Sequence, residues 1–230
     1  MHLVLGRVSP DDFDQLLPVG FRAYTNDPML PVFWGHGGPV SYAHVKSLWR
    51  GALREPVDAY LKVIDSDSMV DVHIIDSDGN RTGEVRKQKR IVGACDWKVY
   101  ATSPYIFPQS EEKHEQETNF LPTAKEQADA DSILSDIYAR RRLDPHDPHL
   151  RCSEICVDPD YGRRGIGTMM MQWGSNVADA MGVECRIEAT EQGRGLYTKM
   201  GYEVVERVER KTGTFDATHT RMRRPVQVKQ

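Results

Sequence analysis

Along the chain the apolar positions change their spacing several times, and each change predicts an element. Residues 10–25 (PDDFDQLLPVGFRAYT) and 41–54 (SYAHVKSLWRGALR) carry apolar side chains three and four positions apart, which places them on one face of a helix. AYLKVID (59–65) and DVHIID (71–76) alternate apolar and polar residues and read as two strands, with SDSM and SDGN as turns. KRIVGACDWKVY (89–100) reads as a longer strand containing Gly93. Residues 101–122 are rich in Pro, Ser and Glu, show no period, and read as a mobile surface loop. Residues 123–142 (TAKEQADADSILSDIYARRR) are helix-forming, with an apolar stripe through Ile133, Leu134 and Ile137.

From His149 onward the order is regular. Strand HLRCSEICV (149–157) is followed by a helix over 167–181, strand VECRIEA (183–189), a short helix over 193–200 and strand YEVVERVE (202–209). A last strand, HTRMRR, spans 219–224. This alternation predicts an α/β fold whose sheet is parallel at its centre. Met170, Trp173, Val177 and Met181 share one face of the 167–181 helix and read as a core stripe. There is no internal repeat and no sign of a second core, so residues 1–230 read as one domain with a loop-plus-helix insertion at about 101–148.

Composition narrows the class. With 230 residues the chain is long enough to bury a sizeable core, and 39% hydrophobic with 28% charged residues suits a soluble globular protein. A net charge of −4 argues against a dedicated nucleic-acid binder. No apolar run approaches the roughly 18 residues that span a bilayer. Asp11 and Asp12 come too early for a secretory signal, so the expected compartment is the cytoplasm, with no membrane partner. Cys95, Cys152, Cys156 and Cys185 lie in apolar stretches without a CxxC pair and read as buried, reduced thiols. His146 and His149 in DPHDPHL have no further ligands at a known spacing, DSDGN lacks the remainder of a calcium loop, and no metal is expected.

Candidate chemistry concentrates in EICVDPDYGRRGIGTMMMQW (154–173), where a strand feeds a helix through Gly162, Arg163, Arg164, Gly165, Ile166 and Gly167. Such a junction presents backbone N–H groups and the positive end of a helix dipole to an anion. Glycine lets the backbone approach closely, and paired arginines suit a pyrophosphate. The GxxGxG spacing fits neither a dinucleotide fingerprint nor a P-loop.

VDPDYGRRGIGTMMM resembles the acetyl-CoA-binding segment of the GNAT superfamily of N-acetyltransferases, in which [RQ]xxGx[GA] follows a strand and Val-x-Pro. IEATEQGRGLYTKMGYEVVE (187–206) is similar to that family's ending, where Leu-Tyr is followed, with three residues intervening, by Gly and an aromatic. Together the two segments cover about residues 150–206. Two positions depart: Gly162 stands where the family has Gln or Arg, and TEQG after Ala189 lacks the Asn often found there.

The resemblance implies a GNAT-like mixed sheet of about six or seven strands, flanked by helices on both faces, in a monomer or homodimer. It implies direct acetyl transfer from acetyl-CoA to the amine of a small molecule or an exposed peptide amine. Ile155, Cys156 and Val157 would meet the pantetheine arm at a strand splay. Arg163, Arg164, Gly165, Ile166, Gly167 and Thr168 would hold the pyrophosphate. Tyr197 stands where the family often carries the acid for the leaving thiolate. Two carboxylates are candidates for the base: Glu188, within IEA, and Glu154, which by strand alternation shares a face with Cys152 and Cys156. Tyr60, Trp97, Tyr100 and Tyr105 are candidates for the acceptor pocket. The alternative is an acyl-CoA-binding module without catalysis, acting as a sensor or interaction partner.

Overall fold

Two long strands organise the molecule, because they carry the longest run of alternating residues and pair along most of their length. The computed structural model describes residues 1–102 and 118–227. In chain order these form β1 (Leu3–Arg7), a 3-10 turn (Pro10–Asp12), α1 (Phe13–Ala23), α2 (Leu30–Trp34), α3 (Pro39–Ala52), β2 (Asp58–Ile75) and β3 (Arg81–Tyr100). After these come α4 (Ala124–Leu143), β4 (His149–Val157), α5 (Ile166–Met181), β5 (Glu184–Ala189), α6 (Glu191–Lys199), β6 (Glu203–Val208) and β7 (His219–Arg224).

The strands make one seven-stranded sheet in the order β1-β2-β3-β4-β5-β7-β6. β4 and β5 run parallel, and every other neighbouring pair is antiparallel. This is the mixed α/β sheet the sequence implies. On one face α5 packs Ile166, Met170, Met171 and Ala178 onto Val63, Val92, Cys95 and Trp97. On the other, Phe13, Leu16 and Leu17 of α1 and Val45 and Trp49 of α3 cover Tyr60, Ile91, Ala94 and Cys156. A third cluster joins Ile133, Leu134 and Ile137 of α4 to Phe120, Leu121, Val32 and Phe215. Phe120 and Leu121 thus belong to a core, not to a surface loop as their segment's composition suggests.

The hairpin corrects the sequence reading. Residues 58–75 form one strand, and SDSM is no turn: it lies where the β2–β3 register slips between Asp65 and Met69. β3 keeps pairing on both sides of that bulge, from Arg81 rather than Lys89, so polar residues are carried along inside a strand. SDGN does turn the chain, with the Asp76 N–H bonded to the Asn80 carbonyl at 2.9 Å. Gly79 has φ +85°, and a Cβ there would sit 1.8 Å from the Pro39 carbonyl oxygen, so the hairpin tip lies directly on the start of α3. β1 and α2, five residues each, were too short to leave a period in the sequence.

On α5 the buried face is rotated relative to the expected stripe. Ile166, Met170, Met171, Gly174 and Ala178 are buried, Trp173 and Val177 are half-buried, and Met181 is exposed. Trp97 sets this rotation. Its ring fills the space a Cβ on Gly174 would need (2.2 Å away), and its indole N–H donates to the Met170 carbonyl at 3.3 Å. All four cysteines are buried free thiols, as their apolar surroundings imply.

Candidate active site

The site begins with an irregularity in β4. Between Asp96 and Trp97 the β3–β4 register slips: Asp96 opposes Glu154, Trp97 opposes Cys152, and Ser153 is the extra residue. A bulge of this kind re-aims side chains. Cys152 therefore joins the core under α5, whereas Cys156 joins the core under α1 and α3. This corrects the expectation that Glu154 shares a face with both cysteines: cross-strand pairing puts it with Cys156 and Asp96 only.

The same bulge marks where the sheet opens. β4 pairs with β5 only from His149 to Cys152, but with β3 as far as Val157. The Asp158 N–H bonds the Val92 carbonyl at 2.9 Å, so by antiparallel alternation the backbone of Cys156 also faces β3. The polar backbone groups of Ile155 and Val157 face the gap instead. At Ile155 they meet Tyr24, whose phenol donates to the carbonyl at 2.6 Å and accepts from the N–H at 3.2 Å. Of the three strand residues expected to meet the cofactor, two present their backbone to the gap and Cys156 does not.

Beyond β4 the turn is shaped for an anion. Asp158 caps the Asp160 N–H (3.1 Å) and is gripped by Arg22 at 2.6 Å, which fixes the exit from the strand. Arg163 (φ +62°) and Gly165 (φ +81°) both adopt left-handed backbone, bending successive N–H groups towards one side. The first helical bond of α5 runs from the Met169 N–H to the Gly165 carbonyl, so the N–H groups of Ile166, Gly167 and Thr168 precede the ladder. Gly165 brings no capping side chain to compete for them. Arg163 and Arg164 are exposed, with the Arg164 guanidinium 4.8 Å from the Tyr161 ring centroid. Gly167 lets α6 close on the turn, since a Cβ there would meet Leu196 at 3.0 Å.

A cavity of about 460 Å³ lies on the other side of the gap. Trp34, Trp49, Phe120 and Tyr138 of the α2–α4 layer wall it, and Tyr60, Glu154, Ile155 and Tyr197 line it from the sheet side. Glu154 is held by the Trp49 indole N–H at 3.1 Å and the Tyr60 hydroxyl at 2.9 Å. Burial pushes its carboxyl up from 4.5 to about 7, against the lowering effect of those two bonds. Glu188 is the opposite case. Burial acts to raise it, but Arg141, which donates two bonds to it at 3.0 and 2.9 Å, prevails with Arg151 and holds it at about 2.

Tyr197 is buried, and burial raises its phenol well above the usual range, with Cys152 and Cys95 nearby. Thr190 caps α6 by accepting from the Gly193 N–H at 3.1 Å. Gly193 makes room for the phenol, since a Cβ there would lie 2.8 Å from the hydroxyl oxygen. Among the aromatic pocket candidates, Tyr60 lines the cavity. Trp97 lies beneath α5, Tyr100 packs against His149 with ring centroids 4.8 Å apart, and Tyr105 falls outside the described residues. Tyr24, Trp49 and Arg141 had no sequence signal beyond their helical stretches. Among the described residues, no group of three or more His, Cys, Asp or Glu is arranged to hold a metal, and no helix is long and apolar enough to cross a membrane.

Comparison with known proteins bears on the fold around this site. Residues 128–204 match the family model for an acetyltransferase (GNAT) domain. No curated protein sequence matches the chain at a significant level. Among solved structures, arylalkylamine N-acetyltransferase 2 from Aedes aegypti aligns with a TM-score of 0.61 at 10% identity, over 99% of this chain and 100% of that one. A histone acetyltransferase HPA2 and related acetyltransferase from Corynebacterium glutamicum aligns at 0.57 with 15% identity, over 100% and 99%. A polyamine N-acetyltransferase from Drosophila melanogaster aligns at 0.55 with 12% identity, over 96% and 98%. At such identities these structures speak to the fold alone, a single sheet shared end to end. The matched segment runs from α4 into β6 and includes the turn after β4, Glu154 and Tyr197. Residues 128–204 thus match a GNAT acetyltransferase domain, and the whole chain shares its fold with N-acetyltransferases of known structure.

Proposed function

We propose that this protein transfers an acetyl group from acetyl-CoA directly to the amino group of a small molecule. The observation that carries the reading is Glu154: a buried carboxylate at the aromatic end of the cavity, beside the strand gap, with its pKa brought to about 7. An amine must lose a proton before it can attack, and a carboxyl poised near neutrality is matched to that task. Glu188, held ionised at about 2 by Arg141, is a poor proton acceptor and serves as a fixed charge.

The residues present fit acetyl-CoA. The N–H groups of Ile166, Gly167 and Thr168, with Arg163 and Arg164, would hold its pyrophosphate. The backbone of Ile155 and Val157 would take the pantetheine arm, with Tyr24 yielding its bonds to Ile155. When bound, acetyl-CoA supplies an acetyl thioester. Glu154 takes the proton from the acceptor ammonium. Tyr197, kept protonated by burial, holds the proton needed where the thiolate departs. The arylalkylamine and polyamine acetyltransferases of like fold are named for amine acceptors, which accords with this reading.

The decisive experiment mixes protein, acetyl-CoA and a panel of amines, and follows free CoA with a thiol reagent. Steady release that depends on particular amines supports the reading. Tight acetyl-CoA binding without turnover on any amine supports a binding module instead. A second experiment addresses the turn. Gly165→Asp places a carboxylate where phosphate oxygens would lie and should weaken acetyl-CoA at least about tenfold in calorimetry, the effect of roughly one misplaced charge. Gly165→Ala carries the same backbone strain at φ +81° without the charge and serves as the control. Equal affinities for the two variants would remove the turn from the site.

A further inference from the structure

Beyond Glu154 the cavity contains another buried carboxylate that the transfer itself does not use. Asp58 lines the cavity, its side chain is 1% exposed, and its Oδ1 accepts from the Lys98 ammonium at 2.6 Å. Its Oδ2 is equally buried and has no hydrogen-bond partner. A buried carboxylate oxygen without a donor is costly, and a ligand that brings a donor relieves that cost. Lys98 also faces Asp96, at 3.7 Å, so when all three groups are ionised they carry one net negative charge.

The sheet register fixes where this lies relative to Glu154. Tyr60, Asp96 and Glu154 form one row across β2, β3 and β4, and Asp58 with Lys98 forms the next row. Asp58 is two residues from Tyr60 on the same strand, hence on the same face. With strands about 4.8 Å apart and a rise of about 3.4 Å per residue, the Cα atoms of Asp58 and Glu154 lie on the order of 12 Å apart. Both side chains stand off the same face of the sheet. With a hydrogen bond of about 2.8 Å at each end, that separation leaves roughly 6 Å between two ligand nitrogens, the length of a short aliphatic spacer. Leu48 and Ala52 of α3 also line the cavity and offer apolar surface to methylene groups.

We propose that Asp58 forms a subsite for a second cationic group, so that the preferred acceptor is a short α,ω-diamine or an amine with a terminal guanidinium, and not a monoamine. The inference rests on the acetyl-transfer reading above. One nitrogen is deprotonated at Glu154, while the other stays charged and donates to Asp58 Oδ2. The added charge offsets the negative excess around Lys98, and the added donor fills the vacant acceptor.

The test compares a terminal butanediamine, butylamine and the terminal amino acid of the same length, each with acetyl-CoA. The diamine should exceed butylamine in kcat/KM by about 10- to 100-fold, the range for one charge-assisted hydrogen bond. The amino acid, with a carboxylate facing Asp58, should fall below butylamine. Asp58→Asn should collapse the ratio of diamine to butylamine, chiefly through KM for the diamine. Equal rates for diamine and butylamine overturn the subsite, as does a ratio that survives in a folded Asp58→Asn protein. Should that variant fail to fold, the order of the three acceptors on the unaltered protein decides by itself. If no amine in the wider panel releases CoA, the amine-transfer reading fails and takes this inference with it.

Discussion

Replacing Glu154 with Gln is expected to lower turnover by about 10²–10⁴-fold, the usual contribution of a general base. Gln keeps the size and an oxygen for the Trp49 N–H, while its amide can donate to the Tyr60 oxygen, so the pocket stays filled. The pH profile carries a second signature. A base acts when ionised, so turnover in the unaltered protein should rise with pH and level off above about 7, and the variant should lose that rise. Stability responds with the opposite sign. Because the folded pKa lies above the unfolded one, the contribution of Glu154 to stability is intact below about 4.5 and is lost as pH rises through about 7. Glu154→Gln should therefore melt above the parent at alkaline pH and gain nothing in acid. Turnover within a few-fold of the parent, with its pH profile unchanged, would show that Glu154 is only a packing carboxyl.

Tyr197→Phe is expected to cut turnover by a similar factor of about 10²–10⁴, since it removes one oxygen and with it the proton for the leaving thiolate. Acetyl-CoA affinity should hold in calorimetry, because binding draws on the turn and the β4 backbone. Thermal stability should change by no more than about 1 kcal/mol, the scale of a single hydrogen bond. The ring still packs against Tyr202, with centroids 5.9 Å apart in the parent. Burial raises the phenol and keeps it protonated at working pH, so no pH limb should be assigned to it. Near-normal turnover in the Phe variant would reduce Tyr197 to a core residue and leave the donor of that proton to be sought elsewhere.

The second half of the chain was legible because its elements obey local rules. β4, α5, β5, α6 and β7 were each bounded to within two residues by periodicity and by the glycines of the turn. The β2–β3 hairpin was misread because its polar bulge mimics a turn, and only the partner strand shows that pairing continues through it. The same limit affected the face assignment of Glu154. Period-two counting assumes an unbroken strand, and Ser153 breaks it through a slip that exists only relative to β3. Glu154 and Glu188 could not be ranked from the sequence, because their difference lies in Trp49, Tyr60 and Arg141, which stand 105, 94 and 47 positions away. The α2–α4 walls carry no motif. They are ordinary helices, α4 a largely charged one, until the fold faces them towards one another.

The division of labour around the gap bears on how such a protein changes over time. The elements suited to the acyl donor, β4, the turn and α6, lie within residues 149–199. The acceptor cavity draws its walls largely from α2, α3 and α4 and its distal carboxylate from the start of β2. Substitutions at Trp34, Leu48 or Asp58 can reshape the acceptor end while every residue of the turn stays as it is. The segment suited to an acyl donor is thus continuous in sequence, while most of the cavity wall is contributed from outside it. The matched segment, residues 128–204, holds only part of the cavity wall, and the rest comes from α2, α3 and the start of β2, which precede it.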